Sequence, residues 1–146
     1  MRGHPFSQRS IGRGVATADY DDDGDLDAVI VNQNAAVSLL RNISVRGHWL
    51  KLEFIGVSSN RRGIGTRVTL RIGNEVFMRE LAGGTSYCSS HQPVLVFGLG
   101  TRHETCELEV RWPNGIRQMI SNVKIDRAMT IVEPRPAEAV SFGVVK

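Results

Sequence analysis

Residues 14–32 read Gly-Val-Ala-Thr-Ala-Asp-Tyr-Asp-Asp-Asp-Gly-Asp-Leu-Asp-Ala-Val-Ile-Val-Asn, and this stretch decides the fold. Its centre, Asp19–Asp27, holds six of the fifteen acidic residues of the chain. Its flanks, Gly14–Ala18 and Ala28–Asn32, are short and apolar and include β-branched residues, a composition that favours strand. Six carboxylates in nine residues repel one another unless a cation sits among them. The spacing assigns the roles for calcium. Asp19, Asp21 and Asp23 each give a side-chain oxygen, Asp25 gives its backbone carbonyl, and Asp27 closes the shell. Gly24 falls at position 6, where the chain turns sharply and a Cβ would add strain. Asp22 points to solvent in this scheme. Five residues and a water reach the roughly 6–8 oxygens that Ca2+ takes, whereas Mg2+ demands a tighter octahedron. An EF-hand is excluded, because Ile30 stands at position 12 and the flanks are not helical. The competing reading is an acidic turn that holds no metal.

A third strand-like segment, Ala36–Asn42, follows a turn at Asn32-Gln33-Asn34. Arg13-Gly14-Val15, the Asp19–Asp27 loop, Val29–Asn32 and Leu39–Asn42 together resemble one repeat of the FG-GAP/VCBS type. That resemblance implies a calcium site, a secreted or cell-envelope location, and a partial β-propeller blade. A propeller needs about 4–8 blades. One repeat is visible, so the resemblance also implies upstream propeller blades of a longer protein. Three strands on their own leave a sheet with two unpaired edges.

The 146 residues suit one domain with an appendage, and 41% apolar content supports a core. No run approaches the roughly 18 apolar residues of a membrane span. The first fifteen residues have no apolar segment, so an export signal is expected upstream of Met1. The net charge is +3, and without the six loop aspartates the rest carries 18 basic against 9 acidic residues. Fifteen of the basic residues are Arg, spread along the chain without interleaved aromatics. This distribution argues for a solvated surface and against nucleic acid.

From His48 the pattern changes. Leu50, Leu52 and Phe54 share one face of a strand. Val68, Leu70 and Ile72 do the same, and Gly73-Asn74 is a two-residue hairpin turn into Glu75–Leu81. Val94–Phe97 is a further strand, and Cys106, Leu108, Val110 and Trp112 line another. Pro113-Asn114-Gly115 turns the chain into Ile116–Ile120, and Met129–Glu133 is the last strand. About seven strands with one apolar face each predict an all-β protein with a C-terminal β-sandwich. The expected organisation is 1–46 as the calcium-loop repeat, 47–134 as the sandwich, and 135–146 as a tail.

His48-Trp49-Leu50, Ser59 through Val68, Glu80 through Tyr87, Phe97-Gly98-Leu99-Gly100 and Val110 through Gly115 resemble an ASPIC/UnbV domain. Cys88 departs from the pattern, standing where an aliphatic residue is expected. This resemblance implies an architecture, with the domain directly after FG-GAP/VCBS repeats, more than an activity.

The remaining chemistry is sparse. The histidines at 4, 48, 91 and 103 have no metal-ligand spacing, and no catalytic triad stands out. Asn60-Arg61-Arg62-Gly63-Ile64-Gly65 reads first as a Gly-requiring turn. Its second reading is an anion or acidic-glycan contact through Arg61 and Arg62. Cys106 lies on a core face as a small apolar residue, and a bridge to Cys88 is the alternative. The expected function is a non-enzymatic, calcium-binding extracellular module for adhesion or ligand binding, with glycans among the ligands. The alternatives are a purely structural end-cap of a propeller, or an accessory to an enzyme.

Overall fold

The computed structural model describes residues 10–21, 23, 25–44 and 47–135. The expectations for Asp22, Gly24, residues 45–46 at the expected domain boundary and the tail beyond 135 lie outside the described residues. Among the described residues the protein is all-β, with ten strands in three sheets. None of them forms a helix long and apolar enough to cross a membrane. The chain divides into two compact units, and each is discontinuous in sequence. The first is 1–45 with 83–92; the second is 46–82 with 93–146.

The first unit contains the sheet β1 (Gly12–Ala18), β2 (Asp27–Asn32) and β3 (Ser38–Leu40), antiparallel in that order. The β1–β2 pairing runs to Ala18↔Asp27, so residues 19–26 are the hairpin loop. The free edge of β1 is closed by the segment 83–92, which no periodicity in the sequence announces. The backbone N–H of Val15 donates to Ser86 Oγ (3.1 Å), and the Ser89 hydroxyl donates to Val15 O (2.8 Å). The Thr17 N–H donates to His91 Nδ1 (3.0 Å), and Thr17 O accepts from the Gln92 N–H (2.8 Å). These bonds satisfy the β1 edge at alternate residues, which in a strand point the same way. The expectation of two unpaired edges is therefore corrected: Ser86, Ser89, His91 and Gln92 cover one of them. Gly14 allows the close approach, since a Cβ there would stand 2.7 Å from Tyr87 O.

The second unit has two sheets. Strands β4 (His48–Ile55), β7 (Val94–Gly100) and β10 (Arg127–Val132) form one in the order β10-β4-β7. Strands β5 (Arg67–Ile72), β6 (Glu75–Glu80), β8 (Cys106–Arg111) and β9 (Arg117–Val123) form the other in the order β6-β5-β8-β9. The alternation seen in the sequence is realised as a single core. Leu50, Leu52, Phe97, Leu99 and Ile131 come from the first sheet; Val68, Leu70, Leu108 and Val110 come from the second. Trp112 is fully buried and meets Phe54 edge to face at 5.9 Å. Two sheets around one core is the arrangement expected of a β-sandwich. Both cysteines are free thiols, Cys106 buried and Cys88 exposed. Burial pushes the Cys106 thiol up, against a smaller opposing backbone hydrogen bond, so it packs as an apolar group.

Candidate metal centre

The hairpin loop brings three of the expected ligands together. One carboxylate oxygen each of Asp19, Asp21 and Asp23 lies within 4.8 Å of the others. Two oxygens on opposite sides of one Ca2+ stand about 4.6–5.2 Å apart, so the spacing suits a single hard cation. Asp19, the first residue after β1, is buried, and Asp23 is half-buried. The backbone N–H of Asp25 donates to Asp23 Oδ1 (3.0 Å).

Asp27 lies outside this group of three. It is 3% exposed and both its oxygens tie down backbone. Oδ2 accepts from the Tyr20 N–H (3.1 Å), and Oδ1 accepts from the Asn42 N–H (2.8 Å). It thus joins the loop's start to the chain beyond β3. The Asp19 N–H donates to Gln92 Oε1 (3.1 Å), so the 83–92 segment fixes the first residue of the loop.

Arg41 was not among the expected site residues, yet its guanidinium stands 2.5 Å from Asp21 Oδ2 and 3.9 Å from Asp23 Oδ2. It sets one positive charge against the clustered carboxylates. Its signal in the sequence is faint: a basic residue just past the third strand of an acidic hairpin.

Arg61 and Arg62 are exposed on the connection between β4 and β5. The anion-holding backbone is nearby but already filled. Glu133, 2% exposed, directs Oε2 at three successive N–H groups: Val57 (2.7 Å), Ser58 (2.8 Å) and Ser59 (2.8 Å). Its Oε1 accepts from the Ser59 hydroxyl (2.9 Å) and from Asn114 Nδ2. Consecutive N–H groups converging on an oxyanion form a nest. Burial would raise the Glu133 pKa, but the bonds from Ser59, Val57 and Ser58 outweigh it and hold the carboxyl below its ordinary range. Gly56 permits the tight loop, since a Cβ there would fall 2.1 Å from Asn60 O.

His48 opens β4, and its Nδ1 lies 2.7 Å from Asp126 Oδ2. That hydrogen bond, aided by one from the Trp49 N–H and opposed by burial, lowers the Asp126 pKa. This pair clasps the start of β4 to the turn before β10, a structural task.

The family model described as ASPIC and UnbV matches residues 56–138, more than half of the chain. Cartilage acidic protein 1 of Mus musculus and of Homo sapiens is each 28% identical over 134 residues, covering 85% of this chain and 20% of the relative. The Xenopus tropicalis protein of the same name is 26% identical over 140 residues, covering 89% and 21%. The chain therefore spans about one fifth of the length of these curated relatives.

Proposed function

The chain belongs to the ASPIC and UnbV family, and from that premise we propose that it is a non-enzymatic, extracellular ligand-binding module stabilised by calcium. In this reading the first unit is an FG-GAP/VCBS-type repeat from the end of a propeller, and its loop takes one Ca2+. The observation that carries the proposal is the convergence of Asp19, Asp21 and Asp23 within 4.8 Å on a hairpin loop between antiparallel strands. Hard oxygen donors in that number suit Ca2+ over softer metals. Asp25 supplies a backbone carbonyl in the same reading, and Asp27 closes the shell or holds it from behind. The extracellular placement is supported by the relatives, whose name refers to cartilage, a tissue rich in extracellular matrix. Titration calorimetry on chelator-treated protein tests the site. One Ca2+ per chain is expected, with uptake abolished in the Asp21→Ala/Asp23→Ala double variant. Equal uptake by that variant would remove the claim.

A structural end-cap is the second reading, and the first unit gives it one support. Val31, Val37 and Leu39 are 49%, 59% and 51% exposed, an apolar surface suited to a further blade. A binding screen over glycans and matrix proteins, with and without chelator, separates the two. Specific capture supports the ligand-binding module, and none in either condition supports the end-cap.

A further inference from the structure

Along the chain the arginines look dispersed, but the strand register gathers four of them. Across the outer face of β6-β5-β8-β9, Glu80 stands opposite Arg67, Arg67 opposite Arg111, and Arg111 opposite Arg117. Directly opposed side chains in an antiparallel sheet have Cβ atoms about 4.5–5.5 Å apart, and like charges so placed destabilise the sheet. Elsewhere the face mixes its signs, with Glu107 opposite Arg71 and Glu109 beside it on β8, so the run of like charge is confined to this row. Here three guanidinium groups run in one row, with Arg71 four residues along β5 on the same face.

Two of these charges are compensated. Arg67 Nε meets Glu80 Oε2 at 2.6 Å, and Arg117 Nη1 meets Glu109 Oε1 at 3.1 Å. Arg111, in the middle of the row, has no ion pair among the described residues, and Arg71 has none either, although the register sets it opposite Glu107. The face is also concave. A hollow of about 320 Å³ is lined by Arg67, Arg71, Arg111 and Arg117, by Thr69 and Glu109, and by Val76 and Met78. That size lies at the lower end of small-ligand sites, roughly 300–1,000 Å³.

We propose that this hollow binds a densely sulfated oligosaccharide, with Arg111 and Arg71 as its principal anion contacts. Guanidinium forks match oxyanions in bidentate geometry, and a row of them needs an anionic group on successive units of one chain. The exposed aliphatic side chains of Val76 and Met78 offer apolar surface for the C–H faces of sugar rings. A nucleic-acid strand is disfavoured, because among the described residues no aromatic side chain lines the hollow for base stacking. This proposal names a ligand class for the module, but it uses none of the loop aspartates and does not depend on the calcium reading.

The test is titration of the full 146-residue chain with a heparin-derived hexasaccharide, repeated in chelator. Binding is expected in both conditions, weakening linearly with log salt. Arg71→Ala/Arg111→Ala should lose about tenfold or more in affinity, while Arg61→Ala/Arg62→Ala should not change it. Arg71→Lys/Arg111→Lys, which keeps charge but not the fork, should fall between, and it also serves if the alanine variant fails to fold. Wild-type affinity in both the alanine and the lysine variants would overturn the proposal. So would the absence of binding, or equal affinity for an oligothymidylate of matched charge. Loss of binding only in chelator would move the ligand to the aspartate loop and overturn it too.

Discussion

Glu133 joins two loops of the second unit through one carboxylate, and its charge is the reason it works. The Val57, Ser58 and Ser59 N–H groups converge on a single oxygen and need an anion there. The Glu133→Gln change keeps the size but removes the charge and puts an amide where acceptors are required. A loss of about 2–4 kcal/mol is expected in denaturant unfolding, since charged hydrogen bonds contribute about 1.5–3 kcal/mol each and are not additive. The pH dependence follows from the lowered pKa. The unfolded chain takes up this proton first, so the stabilisation is complete above the ordinary glutamate range. It falls as pH drops below about 4.3 and is gone below the folded-state value. Asp126, also lowered, acts with the same sign. The Glu133→Gln variant should show a flatter acid limb than the parent, and parallel limbs would assign the acid sensitivity to other groups. Arg41 makes the opposite kind of contribution. Its charge competes with any cation for Asp21 and Asp23. Arg41→Ala should tighten Ca2+ binding about three- to tenfold by calorimetry, the range expected for an exposed charge about 4 Å away. Weaker binding would show instead that Arg41 holds the carboxylates in position.

At the scale of elements, strands with a clean alternation were legible, and the contacts that depend on their register were not. Leu50, Leu52 and Phe54 announce β4 because the side-chain period of a strand is two and one face is buried. The Gly73-Asn74 hairpin announces itself through turn chemistry, with Gly73 at φ 53°. The Asp19–Asp27 loop was legible as a loop between strands, and three of its five expected ligands converge. Arg41 was missed because its contact with Asp21 spans the whole of β2 and β3. The Arg67, Arg111 and Arg117 row was missed because it exists only once three strands are paired. The cover on β1 was missed because side chains of Ser86, Ser89, His91 and Gln92 bond to backbone and leave no periodic trace. That cover reaches the candidate metal centre through Gln92, which receives the Asp19 N–H. Gln92→Ala should therefore weaken Ca2+ binding severalfold while leaving the unfolding of the second unit unchanged. The loss of one part-buried hydrogen bond, about 1 kcal/mol, sets that size. Unaltered affinity would mean that the loop holds its shape without the brace.

At the scale of the whole molecule, the chain passes from one unit to the other and back at residues 83–92. The core of the second unit draws its sixteen buried members from outside that segment, so it should survive without the first unit. A truncated chain beginning at Gly47 keeps all seven strands β4–β10 and should melt cooperatively, with the same midpoint in calcium and in chelator. Its 83–92 segment, however, has lost Val15, Thr17 and Asp19, which took the bonds of Ser86, Ser89, His91 and Gln92. A surface segment without backbone partners opens at almost no free-energy cost and becomes the first proteolytic site. Tyr87, 69% exposed, places a chymotrypsin site in the middle of it. Limited chymotrypsin digestion should cut the truncated chain after Tyr87 at least tenfold faster than the full chain, the factor set by about 1.4 kcal/mol of lost local stability. In the full chain, chelator should accelerate the same cut, because the segment is tied to the first residue of the aspartate loop. Equal rates in the truncated and full chains would show that the bonds to β1 contribute nothing to holding the segment. A truncated chain that does not melt cooperatively would show that the second core needs the first unit to form.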